Sequence, residues 1–247
     1  MLLFIFLLGT IIGSFLNVCI YRLPRGESVI YPPSHCPICG YRLRPLDLIP
    51  LLSFFALRGR CRECGANISV MYPLVELLTG LMFVLAFVKF GLTLDFLTAI
   101  ILISCLMIST FTDLEHQMIP DKAIFPTLVA GLVLNILFHM ENLISFMLGS
   151  VLGGGIILLI VILSRGGMGG GDIKLFAAVG MFLGVRLTLL AMLLSFIFGS
   201  LAGLILIMLK FKDMKDSMPF GPFIALASIV SLLSGDKLIS WYWALLF

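Results

Sequence analysis

The sequence predicts an all-α polytopic membrane protein with about eight transmembrane segments and a small cytoplasmic, zinc-ribbon-like loop domain after the first span. Three observations lead to this fold class. Of the 247 residues, 61% are hydrophobic and only 12% are charged, which is more apolar sequence than a soluble core needs. Apolar stretches of about 20 residues, long enough to cross a bilayer as helices, alternate with short polar segments. Four of the six cysteines form two Cys-x-x-Cys pairs within one polar segment.

The predicted elements divide the chain into three regions: a first span at 1–20, a Cys-rich loop domain at 21–71 and a membrane-embedded domain at 72–247. Residues 1–20 lack a basic n-region and a small-residue cleavage site, so we expect a retained span rather than a signal peptide. The polar stretch itself ends near residue 70. Further spans are expected at about 72–90, 94–112, 123–138, 143–163, 173–183, 187–209 and 219–233.

Two parts of this assignment depend on weaker signals. The stretch from 173 to 209 is too long for one span and contains Gly180 and Gly184, so we divide it into a short segment and a full one. A half-length helix is tolerated where other helices bury it. The tail from 238 to 247 either extends the last helix or lies at the membrane interface.

The distribution of Lys and Arg predicts the orientation. Lys89, Arg186 and Lys237 fall on one side of the predicted membrane, and the other 13 of the 16 basic residues fall on the opposite side. Such an excess is typical of the cytoplasmic face. The N-terminus is therefore expected outside, and the Cys-rich loop, Asp113 and Asp172 are expected to face the cytoplasm.

A glycine-rich segment precedes a lone carboxylate between two apolar stretches. Residues 166–171 contain five glycines in six positions, Gly169 and Gly171 among them, and Asp172 and Lys174 follow. Glycine permits close backbone approach at an entropic cost, and an acid at the membrane edge usually marks a functional site. The alternative is a flexible connection whose acid is solvated. Lys174 either holds a negative charge or extends its ammonium group to the interface.

A second acid on the same side completes a candidate catalytic pair. Asp113 ends the third span, and one outward and one inward crossing separate it from Asp172. Two nearby carboxylates can share one proton, so that one activates a water molecule while the other polarises a carbonyl group. This is the chemistry of peptide hydrolysis without a covalent intermediate. Glu115 and Asp121 compete for the role because they lie in the same turn, although Asp121 also suits a helix cap; His116 is interpreted as a loop residue.

Two Cys-x-x-Cys pairs, Cys36 with Cys39 and Cys61 with Cys64, predict a metal site. Each pair places two thiolates on a tight turn, and two such turns complete a tetrahedral site that suits Zn²⁺. A reducing cytoplasmic location argues against disulfides, which leaves free or redox-active thiols as the alternative. Four thiolates leave no open coordination position, so the metal is expected to be structural. His35 is interpreted as a neighbour rather than a ligand.

Five sequence blocks extend these motifs over the whole chain in a fixed order. They lie at residues 13–18 with 21–24, 72–77, 113–115 with 119–121, 169–175, and 219–223. On these blocks the chain resembles the bacterial type IV prepilin peptidases, membrane aspartic proteases of the Gly-x-Gly-Asp class. Presenilin-like proteases are a poorer match, because a tyrosine precedes their partner acid and Thr112 precedes Asp113 here.

The resemblance implies a bifunctional enzyme of the bacterial cytoplasmic membrane with Asp113 and Asp172 as its catalytic pair. It implies cleavage of the short basic leader of prepilins and pseudopilins after a glycine, followed by methylation of the new N-terminal amine with S-adenosylmethionine. By analogy, the methyl donor uses the first loop and its flanks, with Arg22 and Glu76 as candidates. Arg22 is equally explained as a topogenic charge, and Glu76 as the partner of a loop arginine.

Two other functions remain compatible with the residues. A membrane transporter would use the acids as an ion relay and the glycine segment as a broken helix, although no inverted repeat is visible. A zinc-ribbon membrane scaffold would dock cytoplasmic partners through the loop and would not need the acids. Membrane lipid is an expected partner in every case, whereas nucleic acid is not, because the sequence has no basic patch with interleaved aromatic residues.

Overall fold

The computed structural model describes residues 1–164, 167–209 and 218–246. These residues form α-helices joined by short connections, with 3₁₀-helices at Pro45–Leu48 and Met140–Asn142. Among the described helices, seven are long and apolar enough to cross a membrane, and the all-α class is confirmed. The helices are α1 (Leu2–Arg22), α2 (Leu52–Ala56), α3 (Met71–Phe90), α4 (Leu94–His116), α5 (Asp121–Phe138), α6 (Leu143–Leu163), α7 (Gly170–Met208) and α8 (Gly221–Leu246).

The helix ends differ from the predicted spans at three places. Helix α4 continues to His116, so Asp113 lies within a helix and not in the turn after it. Helix α5 begins at Asp121, which leaves only residues 117–120 as the connection. Helix α8 continues to Leu246, so the tail extends the last helix. The helices are longer than the predicted spans because the apolar pattern shows only the part that lies in the membrane. Helical hydrogen bonding continues through the polar residues at the ends of the spans.

Helix α7 consists of two antiparallel halves. Gly184 interrupts it with φ 67° and ψ 178°, a conformation that favours glycine. A β-carbon on Gly153 of α6 would lie 2.6 Å from the Phe176 carbonyl oxygen and 3.2 Å from Thr188 Cγ2. In an uninterrupted helix, residues 176 and 188 would be about 18 Å apart. The chain therefore reverses at Gly184, which confirms the predicted division and gives eight apolar segments when the halves are counted separately.

The chain divides into two compact units, residues 1–96 and 97–247. In the first unit, α1 and α3 pack closely because glycines of α1 face the backbone of α3. A β-carbon on Gly9 would lie 2.8 Å from an α3 Cα atom, and one on Gly13 would lie 2.8 Å from Glu76 Cα. Their spacing of four residues is typical of membrane helix pairs. Asn17 Nδ2 donates to the Tyr72 carbonyl oxygen at 3.0 Å, which fixes the register.

The Cys-rich loop contains two turns of the same form. The Gly40 N–H donates to the Cys36 carbonyl oxygen at 2.9 Å, and the Gly65 N–H donates to that of Cys61 at 3.0 Å. Both glycines have φ of +70°, a value that strains other residues. The predicted turn after each cysteine pair is therefore confirmed.

In the second unit, α6 and the first half of α7 pack backbone against backbone. A β-carbon on Gly180 would lie 2.1 Å from the Gly149 carbonyl oxygen, so no side chain fits there. Asn135 Nδ2 of α5 donates to the Met181 carbonyl oxygen at 2.7 Å, which ties α5 to the same half. These contacts hold the N-terminal part of α7 rigidly inside the unit.

Several sequence predictions concern residues outside the described ranges. They are Arg165 and Gly166 at the start of the glycine segment, the basic turn at 210–217, and Phe247. The remaining glycines of the segment, from Gly167 onwards, are described.

Candidate active site and metal centre

Asp113 is the buried acid near the C-terminal end of α4. It is 6% exposed, whereas the side chains of Glu115 and Asp121 are 36% and 66% exposed. Burying a carboxylate is costly unless hydrogen bonds compensate, and Asp113 Oδ2 accepts one from the Gly221 N–H at 2.7 Å. Of the three acids that the sequence placed in this region, only Asp113 is therefore built into the interior.

Gly221 begins α8 and leaves no space for a side chain beside Asp113. A β-carbon on Gly221 would lie 2.9 Å from Asp113 Oδ2 and 3.1 Å from Asp113 Cβ. The first N–H groups of a helix have no partner within the helix and form its positive end, so a carboxylate is well placed there. Pro219 and Pro222 flank this start, where a missing N–H is tolerated. The Pro-Phe-Gly-Pro block thus both starts α8 and holds Asp113.

Asp172 is held in the same way at the start of α7. It is 5% exposed, and its Oδ2 accepts a hydrogen bond from the Gly169 N–H at 3.1 Å. Its own N–H donates to the Gly169 carbonyl oxygen, also at 3.1 Å. A β-carbon on Gly171 would lie 3.0 Å from Ile119 Cβ, so glycine at this position lets the α4–α5 connection approach α7 closely.

The two buried aspartates lie near each other. Their carboxylates are close enough for direct electrostatic repulsion, and each is oriented by a backbone N–H at the start of a helix. Like charges that interact in this way disfavour the state in which both acids are ionised. The arrangement can therefore present one ionised and one protonated acid to a bound molecule.

The charged residues around this pair interact with each other at the surface. Lys174 Nζ donates to both carboxylate oxygens of Asp121, at 2.7 and 2.8 Å. Lys174 therefore binds a negatively charged group, which is one of the two roles that the sequence allowed. This ion pair joins the starts of α5 and α7, and as an exposed pair it contributes at most about 1 kcal/mol. Asp121 is the first residue of α5 and makes no side-chain cap. Glu115 and His116 lie 3.7 Å apart.

The four cysteines of the two Cys-x-x-Cys turns, which we call the first knuckle (residues 36–40) and the second knuckle (residues 61–65), form one cluster. All four sulfur atoms lie within 4.8 Å of one another, with 3.9 Å between Cys36 and Cys64 and 4.0 Å between Cys39 and Cys61. A tetrahedral zinc site with bonds of about 2.3 Å has sulfur–sulfur distances of roughly 3.8 Å. The cluster therefore fits a metal ion with little rearrangement. His35 Nδ1 lies 3.0 Å from the Pro33 carbonyl oxygen instead.

The surroundings of the cluster favour a thiolate and brace the second knuckle. The backbone N–H groups of Cys39 and Ile38 lower the pKa of Cys36 to about 6, which suits a metal ligand. Arg62, inside the second knuckle, donates to Asp47 Oδ1 through Nε at 2.9 Å and Nη2 at 2.6 Å. These bonds hold the pKa of Asp47 below its usual range.

Both residues considered for the methyl donor make contacts within the first unit. Buried Arg22 donates through Nη1 to the Ser28 carbonyl oxygen at 2.9 Å. Buried Glu76 accepts through Oε2 from the Leu51 N–H at 2.8 Å. Among the described residues, Glu76 thus interacts with a backbone amide and the Ser14 hydroxyl, in place of the loop arginine that the sequence offered as an alternative. The role of both residues toward a methyl donor stays a prediction.

Sequence reasoning missed two residues that the structure places in these sites. Gly221 donates to Asp113 although 108 positions separate them; its block suggested a helix break near the active site or the start of the last span, but not this contact. Asp47 lies in a 3₁₀-helix between the knuckles and accepts from Arg62. An acid isolated among apolar residues between two metal knuckles was the available signal for Asp47.

The fold and the two sites define a class, a polytopic α-helical membrane protein with paired buried aspartates in one unit and a four-cysteine cluster in the other. Comparison with protein families identifies the family within this class. The bacterial peptidase A24 N-terminal domain matches residues 7–90, and the type IV leader peptidase family matches residues 100–204. The chain belongs to the type IV leader peptidase family, as the sequence resemblance predicted.

Relatives of similar length are named prepilin leader peptidase/N-methyltransferase. The Bacillus subtilis (strain 168) protein is 37% identical, and the alignment covers 98% of both chains. The Aeromonas hydrophila protein is 37% identical over 96% of this chain and 92% of its own. The Pseudomonas aeruginosa protein is 33% identical over 96% of this chain and 91% of its own. No solved structure matches the chain.

Proposed function

We propose that this protein removes the basic leader of type IV prepilins and pseudopilins and then methylates the new N-terminal residue. The observation that carries the first activity is the geometry of Asp113 and Asp172. Both are buried, both are oriented by backbone N–H groups at helix starts, and they lie within reach of each other's charge. Family membership and the shared name of full-length relatives support the second activity.

The proposed hydrolysis uses the two carboxylates as one acid–base unit. The ionised member takes a proton from a water molecule, whose oxygen attacks the scissile carbonyl carbon. The protonated member donates its proton to the carbonyl oxygen. In the collapse of the tetrahedral intermediate, the acid that took the proton from water gives it to the leaving nitrogen, the other carboxylate takes a proton from a hydroxyl of the intermediate, and the C–N bond breaks. The leader acid and the new amine are released, the pair returns to its starting protonation state, and no covalent enzyme intermediate is needed.

The glycines before Asp172 support access for an extended substrate backbone. Gly170 has open space where a β-carbon would be, and a β-carbon on Gly169 would lie 3.6 Å from Asp172 Oδ2 and 4.0 Å from the Gly171 nitrogen. The absence of side chains at these two positions would let an extended peptide approach the backbone beside Asp172 closely. A glycine before the scissile bond of the substrate would also bring no side chain between the substrate backbone and Asp172.

We further propose that the acids and the Cys-rich loop face the cytoplasm of a bacterial inner membrane. The excess of Lys and Arg in the corresponding connections supports this orientation. A basic leader would stay on the same side for the same electrostatic reason. The substrate's apolar segment would lie in the membrane with its leader at the acids.

Two bound groups belong to this proposal. We propose that Cys36, Cys39, Cys61 and Cys64 hold Zn²⁺, which would cross-link the knuckles without taking part in the chemistry, since four thiolates fill its coordination. S-adenosylmethionine would supply the methyl group. Arg22 and Glu76 are the proposed contacts for it, and both can keep their present partners, since a guanidinium has five N–H donors and a carboxylate accepts at two oxygens.

The test uses the purified full chain in lipid bilayers with a synthetic prepilin carrying a basic leader, a glycine and a following phenylalanine. Mass spectrometry should find cleavage after that glycine, and labelled S-adenosylmethionine should label the new N-terminus. A substrate with valine in place of the glycine is the matched control and should remain intact. Failure to cut the first substrate, or equal cutting of both, would contradict the proposal.

A further inference from the structure

The Cys-rich loop, whose polar composition predicts a solvent-exposed region, contains an apolar segment. Residues 49–57 read Ile-Pro-Leu-Leu-Ser-Phe-Phe-Ala-Leu, and Ser53 is the only polar side chain among them. The fold leaves Ile49 40%, Leu52 67% and Phe55 70% exposed, whereas Leu51, Phe54 and Leu57 are half-buried. A contiguous exposed apolar surface of this kind marks an interaction site.

The segment is anchored beside the membrane-spanning helices α1 and α3. Its contacts lie one to two turns from the helix ends, toward the middle of each helix. The Leu51 N–H donates to Glu76 Oε2 at 2.8 Å. Glu76 is the sixth residue of α3, about 7 Å along the axis from its start. The same carboxylate interacts with the Ser14 hydroxyl, and Ser14 lies about 12 Å before the end of α1. Leu51 therefore lies level with the outer turns of both helices.

The backbone around the segment holds its apolar side chains in place. Leu51 (φ 60°) and Arg58 (φ 52°) have positive φ values on either side of α2, and the Gly59 N–H donates to the Phe54 carbonyl oxygen at 2.8 Å. Leu52 and Phe55 are three positions apart on α2 and so lie on one face of it. The segment is a short, fixed turn with one apolar face.

Basic residues flank this apolar turn. Arg44 precedes it, Arg58 and Arg60 follow it, and all three are exposed. Arginines at the edge of an apolar surface extend their guanidinium groups toward anionic headgroups while their stems stay on the apolar side. Apolar side chains with basic flanks are typical of segments that lie in the membrane interface.

We propose that residues 49–57 form a wedge that inserts into the boundary between headgroups and acyl chains of the surrounding bilayer, with the flanking arginines on anionic headgroups. Two observations carry the proposal: the anchoring of Leu51 on Glu76 and the exposed apolar face between exposed arginines. The wedge would hold the Cys-rich loop against the membrane surface. The proposal does not depend on the peptidase or methyltransferase activity.

The test is fluorescence quenching in the full chain, with tryptophan as the probe. Trp241→Phe and Trp243→Phe remove the two native tryptophans, and Phe55→Trp then places one probe in the wedge. The matched control is Ile30→Trp, because Ile30 is an apolar residue of the same loop that is 87% exposed. Both proteins are reconstituted into vesicles of phosphatidylcholine and phosphatidylglycerol, with acyl chains either brominated or not.

The probe at position 55 should lose most of its emission in brominated vesicles and resist aqueous iodide, whereas the probe at position 30 should show the reverse. Equal iodide quenching at both positions, without quenching by brominated lipid, would overturn the proposal. Shielding at position 55 that depends on protein density would assign the surface to a second copy and would also overturn it. Shielding at position 55 that appears only with added prepilin would assign the surface to substrate binding and would likewise overturn the proposal.

Discussion

The carboxylate of Asp113 depends on the backbone of another helix for its orientation. Asp113 Oδ2 accepts from the Gly221 N–H, and the free N–H groups at the start of α8 stabilise negative charge there. Asp172 receives its hydrogen bond from Gly169, within its own helix start. Both acids are thus positioned by main-chain donors, which cannot change rotamer. A side chain at position 221 would displace the Asp113 carboxylate, because Asp113 occupies the space where that side chain would begin.

The variant Gly221→Ala should therefore lose cleavage activity while the protein remains folded. Its β-carbon would press on the Asp113 carboxylate, and a displacement of about 1 Å in a catalytic group can lower the rate roughly 100-fold. The measurement is the cleavage rate of a saturating prepilin peptide in reconstituted vesicles. Gly155→Ala is the matched control, since a β-carbon there meets nothing within 4 Å. A Gly221→Ala protein as active as this control would contradict the positioning role.

The Cys-rich loop is an element without a large core, and short-range contacts hold it together. Its two knuckles repeat the same hydrogen bonds around Cys36 and Cys61. The second knuckle is braced by Arg62 on Asp47. Small domains with little apolar burial usually need a metal or disulfides for stability. The order of this loop is therefore expected to depend on the cysteine cluster and on this brace.

Removal of the metal should loosen the loop between residues 21 and 70. We expect Cys61→Ser to lose the bound zinc and chelation to expose the loop to protease, because metal binding and folding are coupled in such sites. Metal content and limited proteolysis are the measurements. Cys19→Ala, a change at a buried cysteine of α1, should retain both the zinc and the wild-type cleavage pattern. Protease resistance that survives complete metal removal would refute this expectation.

The brace between Arg62 and Asp47 predicts a pH dependence. Because the pKa of Asp47 is lowered in the folded loop, its contribution to stability is complete above the usual carboxyl range of about 4. It is lost as the pH falls through the lower folded-state pKa. Asp47→Asn lacks the contribution at every pH, so its loop should be cut faster than the wild-type loop at neutral pH. The difference between the two proteins should disappear in acid, and a difference that grows there would contradict the assignment.

At the scale of the whole molecule, the sequence predicted the spans well because a bilayer imposes one length on apolar helices. The span at 143–163 agrees with α6 residue for residue. The break at Gly184 was predictable because a segment of that length with internal glycines cannot be one crossing. The end of α4 was missed because hydropathy does not follow hydrogen bonding past Asp113. The Gly221 contact was missed because no local pattern reports a partner 108 positions away.

The reversal at Gly184 predicts the membrane side of particular residues. Arg186 of α7 lies 3.9 Å from Asp236 of α8, so Arg186 and the adjacent Lys237 belong to one end of the unit. In intact cells, Arg186→Cys and Lys237→Cys should both react with an impermeant maleimide. Arg58→Cys, in the Cys-rich loop, should react only after the membrane is permeabilised. Labelling of Arg186→Cys and Lys237→Cys from opposite sides would refute the reversal.

The central claim is that Asp113 and Asp172 act together on one peptide bond. Its most direct test is the single-turnover cleavage rate of Asp113→Asn and Asp172→Asn, each compared with Glu115→Gln, an exposed acid two residues from Asp113. Because each aspartate supplies an acid or base function, each asparagine variant should be slower by roughly 10²–10⁴-fold, while Glu115→Gln cleaves at the wild-type rate. Full cleavage by either asparagine variant would contradict the account.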